Sequence, residues 1–424
     1  MKLGSEYRRI WIGNASSNLA DGVTFVALPL LAVTMTNDPL AVAALSVFYT
    51  APRLLTVLGI GLLVDRFDRR RLLYLANFSR AVIFAALTAL IIADATPMAA
   101  LYAVYAFMGI VETISDSAAV AVLPQAVAPA GLDRANSQIA GTQTLVDEFI
   151  GPPLGGFLFA LAAFAPSLLT VGAFLLAGTA YWRLRQDYRP VETAGTSVRP
   201  APPAGVGAQI REGAVWALRH TVVRTLIIIG GLASAGYMIP FSYLVLYATE
   251  VLQLNAAGYG LLLSVSALGG LAGSLVAGRL RRAVGYGWAI AAALLTGAAS
   301  FAVIAGTTNV WLVGAALAVY TGHAVVWNIL ATTVRQRLIP ARMMGRVISV
   351  GRLVGLCGLT LGAALGGVLA TQFGLRLPFG IAAAFFTTAG VLALAALPGF
   401  RAWERAQPGA AANPSAAATP ADPA

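Results

Sequence analysis

Gly151-Pro152-Pro153-Leu154-Gly155-Gly156 recurs as Gly362-Ala363-Ala364-Leu365-Gly366-Gly367, an offset of 211 residues (362 − 151). Arg66 and Arg69 correspond to Arg279 and Arg282 at nearly the same offset, 213 residues (279 − 66). Two matches at one spacing mark a parallel internal repeat, and the 424-residue chain then divides into two halves of similar build. Each copy of the glycine motif lies in an apolar stretch. Its glycines recur every fourth residue, Gly151 with Gly155 and Gly358 with Gly362 and Gly366. That spacing lines them up on one helix face, where a second helix can approach closely.

Around the two copies, apolar stretches of about 20 residues, the length that crosses a hydrocarbon core, alternate with short polar breaks. They predict twelve spans: 10–35, 41–64, 72–93, 98–122, 138–162, 166–184, 222–248, 256–278, 286–306, 309–331, 346–370 and 376–397. The expected fold is an all-α integral membrane protein of twelve transmembrane helices in two pseudo-symmetric six-helix bundles. Residues 1–184 form the first half and 222–400 the second. The connection 185–221, with Pro190, Pro200, Pro202 and Pro203, reads as a flexible cytoplasmic linker, and the alanine- and proline-rich 401–424 as a disordered tail. Arginine sets the orientation. It recurs in the loops after even-numbered spans, whereas those after odd-numbered spans hold only Arg376. Both termini are therefore expected in the cytoplasm.

Composition agrees. Hydrophobic residues make up 58% and charged residues 11%, against about a quarter charged in a soluble domain. Short loops leave no room for a soluble catalytic domain. The net charge of +11 is dispersed rather than gathered on one face, so no nucleic-acid partner is expected. Cys357 is the single cysteine, which excludes an intrachain disulfide and a cysteine metal cluster. Phosphate-binding loops, paired-histidine motifs and G-x-S-x-G pentapeptides are missing, so the chain does not read as an enzyme. The basic start (Lys2, Arg8, Arg9) leads into a long apolar stretch without an Ala-x-Ala pattern, as expected of a retained first helix.

The turn after the second span reads Gly61-Leu62-Leu63-Val64-Asp65-Arg66-Phe67-Asp68-Arg69-Arg70. It is similar to the signature G-x-L-x-D-R-x-G-R-R of the major facilitator superfamily, with Asp68 where glycine is usual. Over residues 8 to 400 the chain resembles that superfamily's bacterial efflux branch of siderophore and macrolide exporters; Asn18-Leu19-Ala20-Asp21-Gly22 and Ala27-Leu28-Pro29-Leu30 add to the likeness. Gly151, Pro152, Gly155 and Gly156 match the G-P-x-x-G-G element that the family associates with antiporters. The resemblance implies a multi-pass protein of the bacterial cytoplasmic membrane that exports a small amphipathic molecule, a drug, antibiotic or siderophore-like metabolite. It also implies proton antiport with alternating access, driven by the proton gradient and needing no cofactor or metal. Substrate and lipid are the expected partners, and a monomer the expected form. Asp65, with Arg66, Arg69 and Arg70 beside it, would gate by meeting the start of the eleventh span. The family's drug exporters often carry an arginine in the fourth span; here that span has Glu112 and Asp116 instead.

Carboxylates inside a membrane are costly and functional by default. Asp21, Glu112, Asp116, Asp147 and Glu148 are the five in predicted spans, and all lie in the first half. They are the candidates for proton coupling; ion pairs of Asp21 or Glu112 with Arg53 or Arg80 are the structural alternative. Asp147 continues the Gly151 and Gly155 stripe, either as a switch or as a buried hydrogen-bonded acid. For substrate, Tyr320, His323 and Trp327 share a face of the tenth span, Tyr237, Phe241 and Tyr243 lie in the seventh, and Asn18 precedes Asp21 by three residues. Aromatic walls suit an amphipathic guest through apolar area and cation–π attraction; packing between helices is the alternative for each ring. Proton-coupled uptake and a non-transporting receptor or assembly protein are the competing functions.

Overall fold

The structure, a computed structural model, describes residues 3–186, 188–189 and 206–406. Among these the chain is helical: α1 (Gly4–Met35), α2 (Pro39–Arg66), α3 (Arg69–Ile92), α4 (Met98–Ala126), α5 (Leu132–Gln143), α6 (Gly151–Leu161) and α7 (Ala165–Trp182), then α8 (Val206–Arg219), α9 (Thr221–Phe241), the single turn α10 (Leu244–Leu246), α11 (Ala256–Gly306), α12 (Val310–Leu338), α13 (Ala341–Phe373), α14 (Leu377–Ala395) and α15 (Leu397–Arg405). A π turn, Thr144–Ile150, joins α5 to α6, and another, Tyr247–Val251, follows α10. Short polar residues start α2, α3 and α12. Asp38 accepts from the Leu40 amide at 3.0 Å, Asp68 from Arg70 at 2.9 Å and Asn309 from Trp311 at 2.9 Å, each occupying an amide that has no partner within its own helix. Asp68, the residue that departs from the family signature, is thus the cap of α3.

Among the described residues, eleven helices are long and apolar enough to cross a membrane. One of them, α11, runs for 51 residues, about 75 Å at 1.5 Å per residue and more than twice the hydrocarbon thickness. It bends at Gly285, where φ is +81°, a region open to glycine and costly for other residues. Past the bend the Tyr286 amide donates to Glu404 of α15, which caps the arm 286–306. Two stretches read as unstructured from sequence contain helix. Val206–Arg219 of the linker packs on α13, where Glu212 meets Arg346 at 2.6 Å, and the chain stays helical to Arg405. The linker prolines and the tail from 407 lie outside the described residues.

The glycine stripes do in each half what their spacing predicts. A Cβ on Gly22 of α1 would lie 2.5 Å from the Asp147 carbonyl oxygen, and one on Gly151 2.7 Å from Gly22 Cα. In the second half Cβ atoms on Gly358 and Gly362 of α13 would lie 2.4 Å from the carbonyl oxygens of Gly231 and Ala235 on α9. The same helix pair is therefore locked by the same motif twice. Between the halves, among the described residues, the tightest glycine contacts lie on the face opposite the chain ends, and Thr360 donates to Thr50 at 3.0 Å nearer the middle. On that face Gly156 meets Ala256, Gly260 meets Pro152 and Gly367 meets Leu40 and Ala43, all near enough to exclude a Cβ. On the face carrying the chain ends, Gly59, Gly61 and Gly345 have open space where a Cβ would stand.

The apolar cores of the halves differ. The second half has a large cluster that takes in Leu226, Phe301, Tyr320, Phe379 and Phe386 and reaches Val26, Leu30 and Val42 of the first half, and a small one around Val223, Met343 and Val347. The first half has two, one around Tyr7, Ile10, Leu73 and Val122 and another around Leu28, Leu31, Phe84 and Phe174. A layer of charge separates them.

Candidate functional site

That layer is built from α1, α2, α3 and α4. Arg80 of α3 is 1% exposed; its guanidinium lies 3.6 Å from Asp21 of α1, donates to Ser17 Oγ at 3.2 Å and sits 5.1 Å from the centre of the Phe174 ring on α7. Its Nε and Nη2 and the Asp21 Oδ1 have no hydrogen-bond partner. A buried arginine of this kind persists only beside a compensating anion, because an unpaired charge out of water costs several kcal/mol. Glu112 of α4 is held from α2: Tyr49 donates its hydroxyl hydrogen at 2.6 Å, Arg53 approaches at 3.3 Å and also donates to the Tyr49 oxygen. Of the pairings that the sequence leaves open, those present are Asp21 with Arg80 and Glu112 with Arg53. The fourth span has no arginine of its own because its neighbours supply two.

The other acids surround these pairs. Asp116, one turn from Glu112, is exposed, and the charges of Glu112, Arg80, Arg53 and Arg352 act on it. Asp147 is half-buried against α1 and feels Glu112, Glu148 and Asp116. Glu148 is exposed on the side of its helix roughly opposite the exposed Ile150, Phe157 and Leu161, so it faces inward between α1 and α11. The five candidate acids therefore line one region of the first half.

Local sequence explains the π turn that carries two of them. Pro152 and Pro153 have no amide hydrogen to return to the carbonyls of Glu148 and Phe149 four residues back. A π bulge before the prolines accommodates the loss, as such bulges often do at functional positions. The freed Phe149 carbonyl accepts a long hydrogen bond, 3.4 Å, from Ser264 Oγ of α11 in the other half.

The sequence reading missed Arg352. It is an exposed cation inside α13 on the side opposite the exposed Leu361 and Val368, and its charge reaches Asp116 across the gap between the halves. An arginine well inside a predicted span, 346–370, was the signal that could have found it.

The aromatic candidates separate into two groups. Tyr237 and Phe241, both half-buried, have ring centres 4.3 Å apart, and Tyr320 lies parallel to Tyr237 at 6.2 Å. Tyr243 is instead fully buried and donates to the Leu375 carbonyl at 3.2 Å. His323 is 5% exposed, edge-on to Phe386 at 5.2 Å and pressed against Gly297, where a Cβ would lie 2.6 Å from its ring. Its Nδ1 has no partner. Trp327 packs half-buried on the second-half core. Asn18 donates to the Asn14 carbonyl of its own helix at 2.8 Å.

Of the gating residues, Arg66 is exposed, the Arg69 amide donates to the Tyr188 carbonyl at 3.4 Å, and the Arg70 guanidinium donates to the Trp182 carbonyl. The Asp65 side chain lies outside the described residues. Gly151 and Gly155 close on α1 and Pro152 and Gly156 on α11, so one short motif contacts both its own half and the other.

Comparison with known proteins adds to this geometry. The sequence profile of the Major Facilitator Superfamily matches residues 10–356. The chain is 28% identical over 400 residues to the multidrug efflux pump Tap of Mycolicibacterium fortuitum, covering 90% of this chain and 96% of that one. It is also 28% identical over 386 residues to the enterobactin exporter EntS of Citrobacter koseri, covering 87% and 86%. A crystal structure of a bacterial homologue of the iron transporter ferroportin, in its inward-facing state, matches in fold with a TM-score of 0.73 at 17% identity, over 93% of this chain and 99% of that one.

Proposed function

The chain belongs to the Major Facilitator Superfamily, and on that premise we propose that it exports a small amphipathic molecule across the bacterial cytoplasmic membrane by proton antiport. It is a multi-pass membrane transporter and not an enzyme. The two arms of α11, 256–284 and 286–306, each match the hydrocarbon core in length and bring the crossings to twelve. With both chain ends in the cytoplasm, the tight glycine contacts between the halves lie on the outer face, and the inner face is the one through which an exporter loads its cargo. Two relatives, a multidrug efflux pump and an enterobactin exporter, support the direction. The whole acts as a monomer without a cofactor.

One observation carries the coupling: a layer of carboxylates and arginines divides the core of the first half and borders the gap between the halves. Asp21 and Glu112 each hold an arginine, so a proton arriving on either acid releases a buried cation. Breaking a buried pair from one side costs about 3–5 kcal/mol, enough to shift a two-state equilibrium by a factor of roughly 100 or more. Alternating access needs such a lever between proton binding and the position of the halves. Tyr237 and Phe241, both half-buried, provide the apolar surface for cargo on the other side.

The test is the accumulation of lipophilic dyes and antibiotics in a pump-deficient bacterial host expressing the chain, with and without a protonophore, beside Asp21→Asn and Glu112→Gln. Lower accumulation that the protonophore and either variant abolish is expected. Accumulation raised by the chain would point to uptake, and export indifferent to both variants would remove these acids from the coupling.

A further inference from the structure

Tyr49 donates its hydroxyl hydrogen to Glu112, Tyr102 to the Ala41 carbonyl, Tyr243 to that of Leu375 and Tyr247 to that of Thr307. The hydroxyls of Tyr105 on α4, Tyr237 on α9, Tyr259 on α11 and Tyr320 on α12 have no hydrogen bond among the described residues, although Tyr259 is only 4% and Tyr320 5% exposed. A buried phenol normally finds a partner. These four are also neighbours: Tyr105 lies within electrostatic reach of Tyr259, Tyr259 of Tyr237 and Tyr237 of Tyr320, a series that runs from the first half into the second. Tyr105 shares one face of α4 with Glu112 and Asp116, which follow it by 7 (112 − 105) and 11 (116 − 105) residues. Its ring centre is 6.2 Å from that of Tyr49, the residue that holds Glu112. Tyr105, Tyr237 and Tyr259 occupy the parts of their helices nearest the face opposite the chain ends, whereas Glu112 is midway along α4 and Asp116 and Arg352 lie nearer the chain ends. Asp116, Asp147 and Glu148 have no ion pair or hydrogen bond among the described residues, and the unpaired cation that reaches Asp116 is Arg352.

We infer that the cargo is an organic cation, seated between Tyr105 of the first half and Tyr237, Phe241 and Tyr259 of the second, with its charge toward the acid layer. Ring faces attract a cation, and more strongly out of water. The free phenol oxygens offer it lone pairs, and the carboxylates below exceed the one unpaired arginine, so an anionic guest would be repelled. Packing alone leaves four hydroxyls without a use. Tyr105 and Tyr259 belong to different halves, so a bound cation bridges them close to the face where the glycines already meet. The inference names the cargo class of the exporter proposed above and rests on that reading.

The experiment uses the full chain purified in detergent, without a gradient, so that binding is read apart from proton coupling. Tetraphenylphosphonium and tetraphenylborate, ions of one shape and opposite charge, are titrated separately by calorimetry. The wild type is expected to bind the phosphonium at a single saturable site and the borate at least tenfold more weakly. Tyr105→Leu and Tyr259→Leu should each weaken the phosphonium roughly fivefold, while Tyr102→Leu, the same change at a tyrosine whose hydroxyl is engaged elsewhere, should bind like the wild type. Asp116 is exposed, so Asp116→Asn leaves packing intact and tests the charge even where a leucine variant fails to fold; it too should weaken the phosphonium about fivefold. Borate bound as tightly as phosphonium, or full affinity in Asp116→Asn and in both leucine variants, would overturn the inference. A chain that exports dyes but binds no phosphonium overturns the cation seat and leaves the exporter; one that binds it with these dependences and exports nothing upholds the seat and removes the exporter.

Discussion

Replacing Arg80 with methionine separates the structural from the functional content of the charged layer. The substitution keeps an unbranched apolar stem but removes the guanidinium, and with it the 3.6 Å pair with Asp21 and the hydrogen bond to Ser17, leaving the carboxylate without its cation. Loss of one partner of a buried pair costs about 3–5 kcal/mol. Asp21 keeps 22% of its side-chain surface, so the lower value, about 3 kcal/mol, applies. At the 2–4 °C per kcal/mol typical of units of 150–250 residues, Arg80→Met should lower the melting temperature by roughly 6–12 °C, read by size-exclusion thermal shift of detergent-purified protein. Adding Asp21→Asn removes the stranded charge as well. Asp21→Asn alone strands the buried Arg80 and should also cost at least about 3 kcal/mol, while the double variant should recover to within about 1 kcal/mol of the wild type, a coupling of about 5 kcal/mol in a double-mutant cycle. Neither the single nor the double variant should export against a gradient, since neither can exchange a proton for the pair. An Arg80→Met protein melting with the wild type, or a double variant less stable than the single, would refute the reasoning.

Gly151→Val puts a branched side chain where a Cβ already lies 2.7 Å from Gly22 Cα; a loss of at least about 1–3 kcal/mol and of transport is expected, measured by thermal shift and dye accumulation. Gly156→Leu wedges the contact with Ala256 of the other half, where a Cβ would stand 2.3 Å from the carbonyl oxygen. That face should open, so a cysteine at Ala257 in a Cys357→Ser background should react faster with a water-soluble maleimide than without the wedge. Arg352→Gln removes an exposed cation, so stability should stay within about 0.5 kcal/mol while export in the accumulation assay falls.

The repeat, the glycine stripes and the five acids were legible because each is a local pattern: periodicity names a helix face, and an ionisable residue in an apolar stretch stands out. The glycines even named their use, since a stripe without Cβ atoms has value only against another backbone. Partner identity was less legible. The sequence offered Arg53 and Arg80 to Asp21 and Glu112 without assigning them, because lateral contact between helices depends on rotation and tilt that spacing does not encode. The same limit hid the difference between Tyr237, half-buried beside Phe241, and Tyr243, turned into the core a few residues on. Asp68 looked like a departure from a motif and proved to be a helix cap. Val206–Arg219 was read as flexible from the prolines before it, although apolar Val215, Trp216 and Leu218 belong to a helix that gains its stability from α13 rather than from its own propensity. Arg352 stands inside an apolar span as Asp116 does, so the rule that makes the acid conspicuous applies equally to this cation.

Proton exchange itself is tested most directly in everted membrane vesicles whose interior is acidified by respiration and reported by acridine orange quenching. A panel of amphipathic cations and catecholates is added to vesicles containing the wild type, Asp21→Asn or Glu112→Gln. The account expects at least one compound to restore fluorescence with the wild type, as protons leave in exchange for it, and none to do so with either variant. Restoration that persists undiminished in both variants, or a wild type that no compound in the panel moves although the same compounds are excluded from cells, would contradict antiport through this acid layer.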